Sequence, residues 1–242
     1  MGIPHKTVKI PGVQQSKSED CTKGTPLGLN NDPLEVFSMI EEDGQPVLKI
    51  TGQVYGGLTT KEEFQNYHLT MQFKWGEKKW PPRLNLKRDS GILIHSVGKH
   101  GAFWNVWKRS LECQVQEGDI GDFIPLAGSG ADLRMVGDQK TWDLKGTLQN
   151  GLGYIHHGGA TERSNGQWNT IDVYTVDDKI IHVLNGEVNM VLHNTRQKTP
   201  RGTAPLTQGQ IQIQSEAAEC YYRGIKIRPI QSFPSGYSKL LK

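Results

Sequence analysis

Apolar and polar residues alternate with a period of two along much of this chain. In residues 67–75, Tyr67, Leu69, Met71, Phe73 and Trp75 fall on one side and His68, Thr70, Gln72 and Lys74 on the other. That period marks a strand that buries one face. Farther on, Ile171 and Val173 alternate with Thr170, Asp172 and Tyr174, and Ile181 and Val183 flank His182. Turn signals divide these runs: EEDGQP, Asp177-Asp178, and Asn185-Gly186, the strongest short hairpin signal in the chain. Thr60 to Glu63 has the spacing of a capping box and predicts one helical turn, KEEF. No longer helix is expected. Many short strands joined by turns predict an all-β fold, a two-sheet antiparallel jelly-roll sandwich over residues 34–230. Residues 1–33, rich in Lys, Ser, Pro, Gly and Asn, read as a loosely packed arm, and residues 231–242 as a peripheral tail. Residues 120–159 read as a long irregular insertion, the kind of segment that often forms a binding loop.

The densest chemistry lies in residues 90–122, where two strand-like runs, ILIHS and LECQVQ, are joined by a loop bearing glycines and tryptophans. On the second run Glu112, Gln114 and Gln116 oppose Leu111, Cys113 and Val115. A later run repeats the device, with Gln210, Gln212, Gln214 and Glu216 facing away from Ile211 and Ile213. If these polar sides share one sheet, that sheet has a polar, concave face. Carboxylates, amides, an imidazole and flat apolar rings are groups that bind sugars and move protons on them.

The odd spacing of Glu112 and Glu117 sets them on opposite faces of a regular strand, so a bulge is needed to bring them together. With Gln114 between them instead of an acid, ordinary retaining glycosidase chemistry is disfavoured. His95, opposite Ile92 and Ile94, could be a general base, a metal ligand or a hydrogen-bonded structural histidine. Trp104 and Trp107 could stack on a sugar ring or plug the space under their loop. His182, among apolar residues, reads as structural. His156-His157, on a glycine-rich loop, could line a site.

The chain has 242 residues and a net charge of +3, and its basic residues form no block, so no nucleic-acid partner is expected. No apolar run is long enough to cross a bilayer. The start, MGIPHKTVKIPG, shows no signal peptide. Cys21, Cys113 and Cys220 lack zinc-like spacing, and an odd count leaves a free thiol. No phosphate loop, dinucleotide fingerprint or Gly-x-Ser-x-Gly is present.

Five segments in order resemble the 3-keto-disaccharide hydrolase domain family: GGLTTKEEFQNYHLTMQFKW, DSGILIH, ECQVQEGD, QWNTIDVYTVDDKIIHVLNGEVN and GQIQIQSEAAECYYRGIKIRPI. His95 stands where many members have Arg, and Glu117 where many have Asp. The resemblance implies a concanavalin A-like sandwich, a carbohydrate substrate and a periplasmic or secreted location. It also implies cleavage of 3-keto-glycosides by C2 deprotonation, elimination and hydration. That route needs a base, an acid, and a donor or divalent metal ion at the C3 oxygen; no other cofactor is expected. Glu112 or His95 would then be the base, and Glu117 or Asp119 the acid or ligand. Gln114, Arg88, Gln214, Trp104 and Trp107 would hold the sugar. The competing readings are a non-catalytic carbohydrate-binding module and a conventional glycoside hydrolase of the laminarinase type.

Overall fold

The computed structural model describes residues 2–137, 140–159 and 162–241. Their strands in chain order are β1 (Gly2–Pro4), β2 (Phe37–Glu42), β3 (Gln45–Ile50), β4 (Val54–Thr59), β5 (Phe64–Gln65), β6 (Tyr67–Lys79), β7 (Asp89–Val97), β8 (Arg109–Gln116) and β9 (Phe123–Leu126). There follow β10 (Ser129–Met135), β11 (Thr147–Asn150), β12 (Asn169–Val176), β13 (Lys179–Leu184), β14 (Glu187–Thr199), β15 (Gly202–Pro205), β16 (Gln208–Ser215) and β17 (Ala218–Pro229). They form two antiparallel sheets. The smaller runs β1-β4-β16-β7-β8-β9, with β5 also on β16. The larger runs β11-β10-β14-β13-β12-β6-β17-β3-β2, with β15 on β14. The fold is the all-β sandwich that the alternation predicts.

The core lies between the sheets. From the small sheet it takes Ile92, Ile94, Leu111, Cys113, Val115, Ile211 and Ile213; from the large sheet, Tyr67, Leu69, Met71, Phe73, Trp75, Ile171 and Val173. Ser90 and Tyr222 hydrogen-bond across it at 2.9 Å. With its apolar half buried there, β8 must present Glu112, Gln114 and Gln116 on the sheet's other side. Both hairpin turns form as expected: Asp177 and Asn185 adopt positive φ between β12 and β13 and between β13 and β14.

Four expectations need correction. The capping-box segment makes no helix; Thr60 Oγ1 instead donates to Glu62 O (2.9 Å) and accepts from Ile211 N (3.0 Å), so a tertiary partner takes the capping hydroxyl. The arm is not loose at its start. Gly2–Pro4 pairs with β4, and Ile3 and Cys21 are buried against Tyr55 and Trp107. Residues 120–159 are no insertion outside the sandwich, since β9 ends the small sheet and β10 and β11 end the large one. The tail, though terminal, packs Phe233, Tyr237 and Leu240 on the core.

Candidate active site

The register of the small sheet sets its outer side chains in three rows. The first holds Gln116, Asp89, Glu216 and Tyr55, because Asp89 pairs with both Gln116 and Glu216. The middle row is Asp122, Gln114, Gly91, Gln214 and Gly57. The third is Ile124, Glu112, Leu93, Gln212 and Thr59. The two glycines of the middle row leave a trough that the neighbouring polar side chains fill, and Ile3, Tyr55, Leu93, Val106, Trp107 and Leu126 form a second apolar cluster on the same face. A Cβ at Gly91 would run into Glu112 Oε1 and Gln214 Oε1, and one at Gly57 into the Gln212 amide. Glycine at position 91 is therefore what lets Glu112 lean across its neighbouring strand to meet Gln214. The amides and acids of separate strands do converge, as the alternation requires.

Most of these groups serve one another. Gln212 donates to Thr59 Oγ1 (2.7 Å) and accepts from Lys108 N (3.1 Å), and Gln114 Oε1 accepts from Val115 N (2.8 Å). Gln116 Nε2 donates to Asp89 Oδ2 at 2.7 Å. Arg83, from the loop before β7, donates to Glu216 Oε1 (2.7 Å) and Tyr55 Oη (3.3 Å) and ion-pairs with Asp89. Two buried acceptors, Asp89 Oδ1 and Gln214 Oε1, have no donor among the described residues.

The charge balance follows. Asp89, Glu112 and Glu216 are three buried carboxyls, and Arg83 supplies one positive charge beside them. Burial, then repulsion from Glu216 and Asp89, pushes the Glu112 carboxyl well above its ordinary value; Gln214 and Arg83 only partly oppose this. Burial and Glu216 likewise hold Asp89 high. Burial at 3% exposure and its acidic neighbours thus hold Glu112 toward its protonated form. A carboxylic acid kept neutral in a polar trough is a proton donor.

His95 is not part of this face. A register shift between Ile94 and Val97, with φ of 51° at His95, turns the ring into the core against Tyr67. There Nδ1 lies 3.2 Å from Leu206 O, and burial lowers the imidazole to about 4. It is a neutral structural histidine, not a base or ligand. His182 is one too, bonded to Gly121 O and lowered by burial to about 4. Nor do Glu112 and Glu117 form a pair. β8 pairs regularly from Leu111 to Gln116, without the bulge that pairing needs, and Glu117 lies beyond the strand end, bound to Arg88 (2.9 Å) and to Asn165. Arg88 is spent on that bridge and on Gly76 O, away from Glu112. Trp107 is the plug rather than a platform: it is 1% exposed, donates to Gly56 O (2.9 Å) and tilts against Tyr55. Trp104, 48% exposed, stacks on Phe103.

Asp119, in the turn after β8, is ion-paired with Lys87 at 2.5 Å. Nearby, Asp122 is fully buried; its Oδ2 lies 2.9 Å from His156 Nδ1 and its Oδ1 accepts His157 N–H at 2.6 Å. Asp119, Asp122 and His156 each bring one ligand atom within 4.8 Å of the others, a donor set that fits a divalent cation in type. Sequence reasoning missed Asp89, Glu216 and Arg83 as members of the site, and Asp122. The available signal was phase: Asp89 is two residues before Gly91, and Glu216 continues the Gln210, Gln212, Gln214 series.

No curated protein matches the chain. A candidate glycosyl hydrolase of known structure from Parabacteroides distasonis ATCC 8503 is similar at 18% identity over 83% of this chain and 93% of that one, with a TM-score of 0.47. A second from the same organism shares 17% identity over 81% and 84%, with a TM-score of 0.49. The carbohydrate-binding module CBM66 from Bacillus subtilis shares 8% over 79% and 91%, also at 0.49. The sequence model of the 3-keto-alpha-glucoside-1,2-lyase-like domain matches residues 15–228, from before β2 into the end of β17, and leaves β1 outside. The chain belongs to the family of 3-keto-alpha-glucoside-1,2-lyase-like domains.

Proposed function

We propose that this protein cleaves 3-keto-glycosides by elimination followed by hydration, with Glu112 as the proton donor to the leaving oxygen. The observation that carries the reading is the neutral Glu112 carboxyl leaning over Gly91 beside Gln214. A ketone at C3 makes the C2 hydrogen acidic, because the carbanion left behind delocalises onto the C3 oxygen. Loss of that hydrogen and departure of the C1 substituent need one base and one acid. They need no nucleophilic carboxylate, and the separation of Glu112 from Glu117 removes the laminarinase-type pair. In this reading Gln114 and Gln214 hold sugar hydroxyls beside the acid.

Replacing Glu112 with Gln keeps the shape and removes the proton. With a 3-keto-glucoside, release of the aglycone should fall by about 10²–10⁴-fold, the usual worth of a positioned acid. Full activity in that variant would take Glu112 out of the reaction. The second reading, a binding module without turnover, draws on Trp104, a half-exposed ring stacked on Phe103. Tight binding of unmodified sugars with no cleavage of the keto form would favour it.

A further inference from the structure

We propose that the N-terminal arm, residues 2–26, is a lid over the trough that lifts off β4 to admit the substrate. This rests on the elimination reading above and supplies its way in. Glu112, Gln114, Gln212, Gln214, Asp89 and Glu216 are all buried, so a sugar reaches them only if a covering element moves. The cover is the apolar cluster on this face. Ile3 and Cys21 come from the arm, Val106 and Trp107 from the loop between β7 and β8, Leu126 from the end of β9 and Ala217 from the turn into β17. Ile3 pairs with Tyr55 and so sits on the same side of the sheet. Cys21 lies near Tyr55 and Glu216, at the end of the row that holds Asp89.

The loop beside the arm is pinned. Trp107 Nε1 donates to Gly56 O (2.9 Å), and Lys108 donates from N to Gln212 Oε1 (3.1 Å) and from Nζ to Gln210 Oε1 (2.5 Å). The arm has no such side-chain tie. Among the described residues, every side-chain hydrogen bond and ion pair of residues 2–26 ends on the arm itself, as with Lys6 and Glu19, Gln15 and Val8 O, or Asp20 and Thr22. Its ladder to β4 is three residues long, at the edge of the sheet, and Pro4 has no N–H to give it. Apolar contact seats the rest: Ile3 and Cys21 on the trough side, Val8 at the rim of the core. Leu27 N donates to Gly2 O at 2.7 Å, which closes the arm into one piece. Cavities undercut it, one of about 430 Å³ between Gly2, Leu27 and β4, another of about 890 Å³ between Pro4, Ser18 and Asn105. Just beyond, Gly28 has a φ of 103° with open space around it, so the chain can turn there without a side chain to hinder it.

Lifting the arm breaks that edge ladder and leaves the remaining strands of both sheets paired. It uncovers Tyr55 and Glu216, with the Arg83 side chain bonded to both. Behind them are Asp89 Oδ1 and Gln214 Oε1, the two buried acceptors without a donor. Sugar hydroxyls are donors and suit both.

The test treats the full chain with iodoacetamide at about pH 8, where an uncovered thiol reacts, and reads each cysteine by peptide mass. Cys21 should react at least about 10-fold faster than Cys113 and Cys220, which lie in the core between the sheets and open only with the whole fold. Ile3→Ala, which unseats the arm, should raise both the Cys21 rate and kcat/KM by about 10-fold or more, because a larger share of molecules stands open. Pro4→Cys with Val54→Cys sets two thiols on facing residues of the ladder, about 4.5–5.5 Å apart between Cα atoms and within reach of a disulfide. Oxidised, this variant should drop Cys21 to the rate of Cys113 and stop methanol release from a methyl 3-keto-glucoside; dithiothreitol should restore both. Cys21 reacting no faster than Cys113 in the wild type would overturn the lid and leave the Glu112 reading intact, and that comparison needs no variant to fold. Full cleavage by the oxidised pair would overturn it too. Fast Cys21 labelling that the disulfide stops, in a protein that never cleaves the keto-glucoside, would spare the lid and sink the elimination.

Discussion

Glu112→Gln should make the protein more stable at neutral pH, and increasingly so as pH rises. The wild-type carboxyl is buried and crowded by Asp89 and Glu216, so its folded value lies well above the ordinary 4.5. Between the two values the unfolded chain has released this proton and the folded chain still holds it. Stability then falls with rising pH, by about 1.4 kcal/mol per pH unit for one retained proton. An unfolding entropy of roughly 2.1 cal/mol/K per residue gives about 0.5 kcal/mol/K for a chain of this size, or a melting-temperature loss of about 3 °C per pH unit. Glutamine fills the same space and carries no proton to lose. The assay is the melting temperature of both proteins from about pH 5 to 8, the span over which the unfolded carboxyl is ionised. His95 and His182, held near 4 by burial, weaken the fold as pH falls below their ordinary 6.5, but equally in both proteins, so they drop out of the difference. The gap should open with pH in favour of the variant. A gap that stays constant, or opens in favour of the wild type, would mean that Glu112 is ionised in the fold and that the charge argument fails.

Three further outcomes follow from the same face. Gly91→Ala should push the ends of Glu112 and Gln214 out of the trough, lowering kcat by about 10²-fold while the melting temperature changes little, because only flexible side-chain tips must move. Arg83→Met should destabilise by about 3–5 kcal/mol in denaturant unfolding at pH 7, since it leaves Asp89 and Glu216 buried without their cation; a cost below about 1 kcal/mol would refute the pairing. Trp107→Ala should cost about 3–5 kcal/mol as a buried plug, whereas Trp104→Ala should change stability by less than about 0.5 kcal/mol, both read from denaturant unfolding.

The sandwich was legible because its signal is local. The alternation of Tyr67 to Trp75 and of Leu111 to Gln116 states which side is buried, and Asn185-Gly186 states where the chain reverses. Which polar sides share a sheet follows from pairing between residues about a hundred positions apart, as with Gly91 and Gln214, and no window of sequence contains that. His95 was misplaced for a related reason: the alternation fits an outward side chain, but one register shift reverses its direction. Arg83 and Asp122 sit in segments that read as loop and insertion, where only tertiary contact shows that they serve the trough. Glu112 was found because its strand is regular, and Glu117 was mistaken for its partner because nearness in sequence stood in for nearness in space.

The claim on which the rest depends is that Glu112 keeps its proton in the folded protein. Infrared spectra of wild type and Glu112→Gln at pH 7, subtracted from one another, read that proton directly. A carbonyl band of an un-ionised carboxylic acid, present in the wild type and absent from the variant, is the expected result. A difference made up only of carboxylate bands would contradict it.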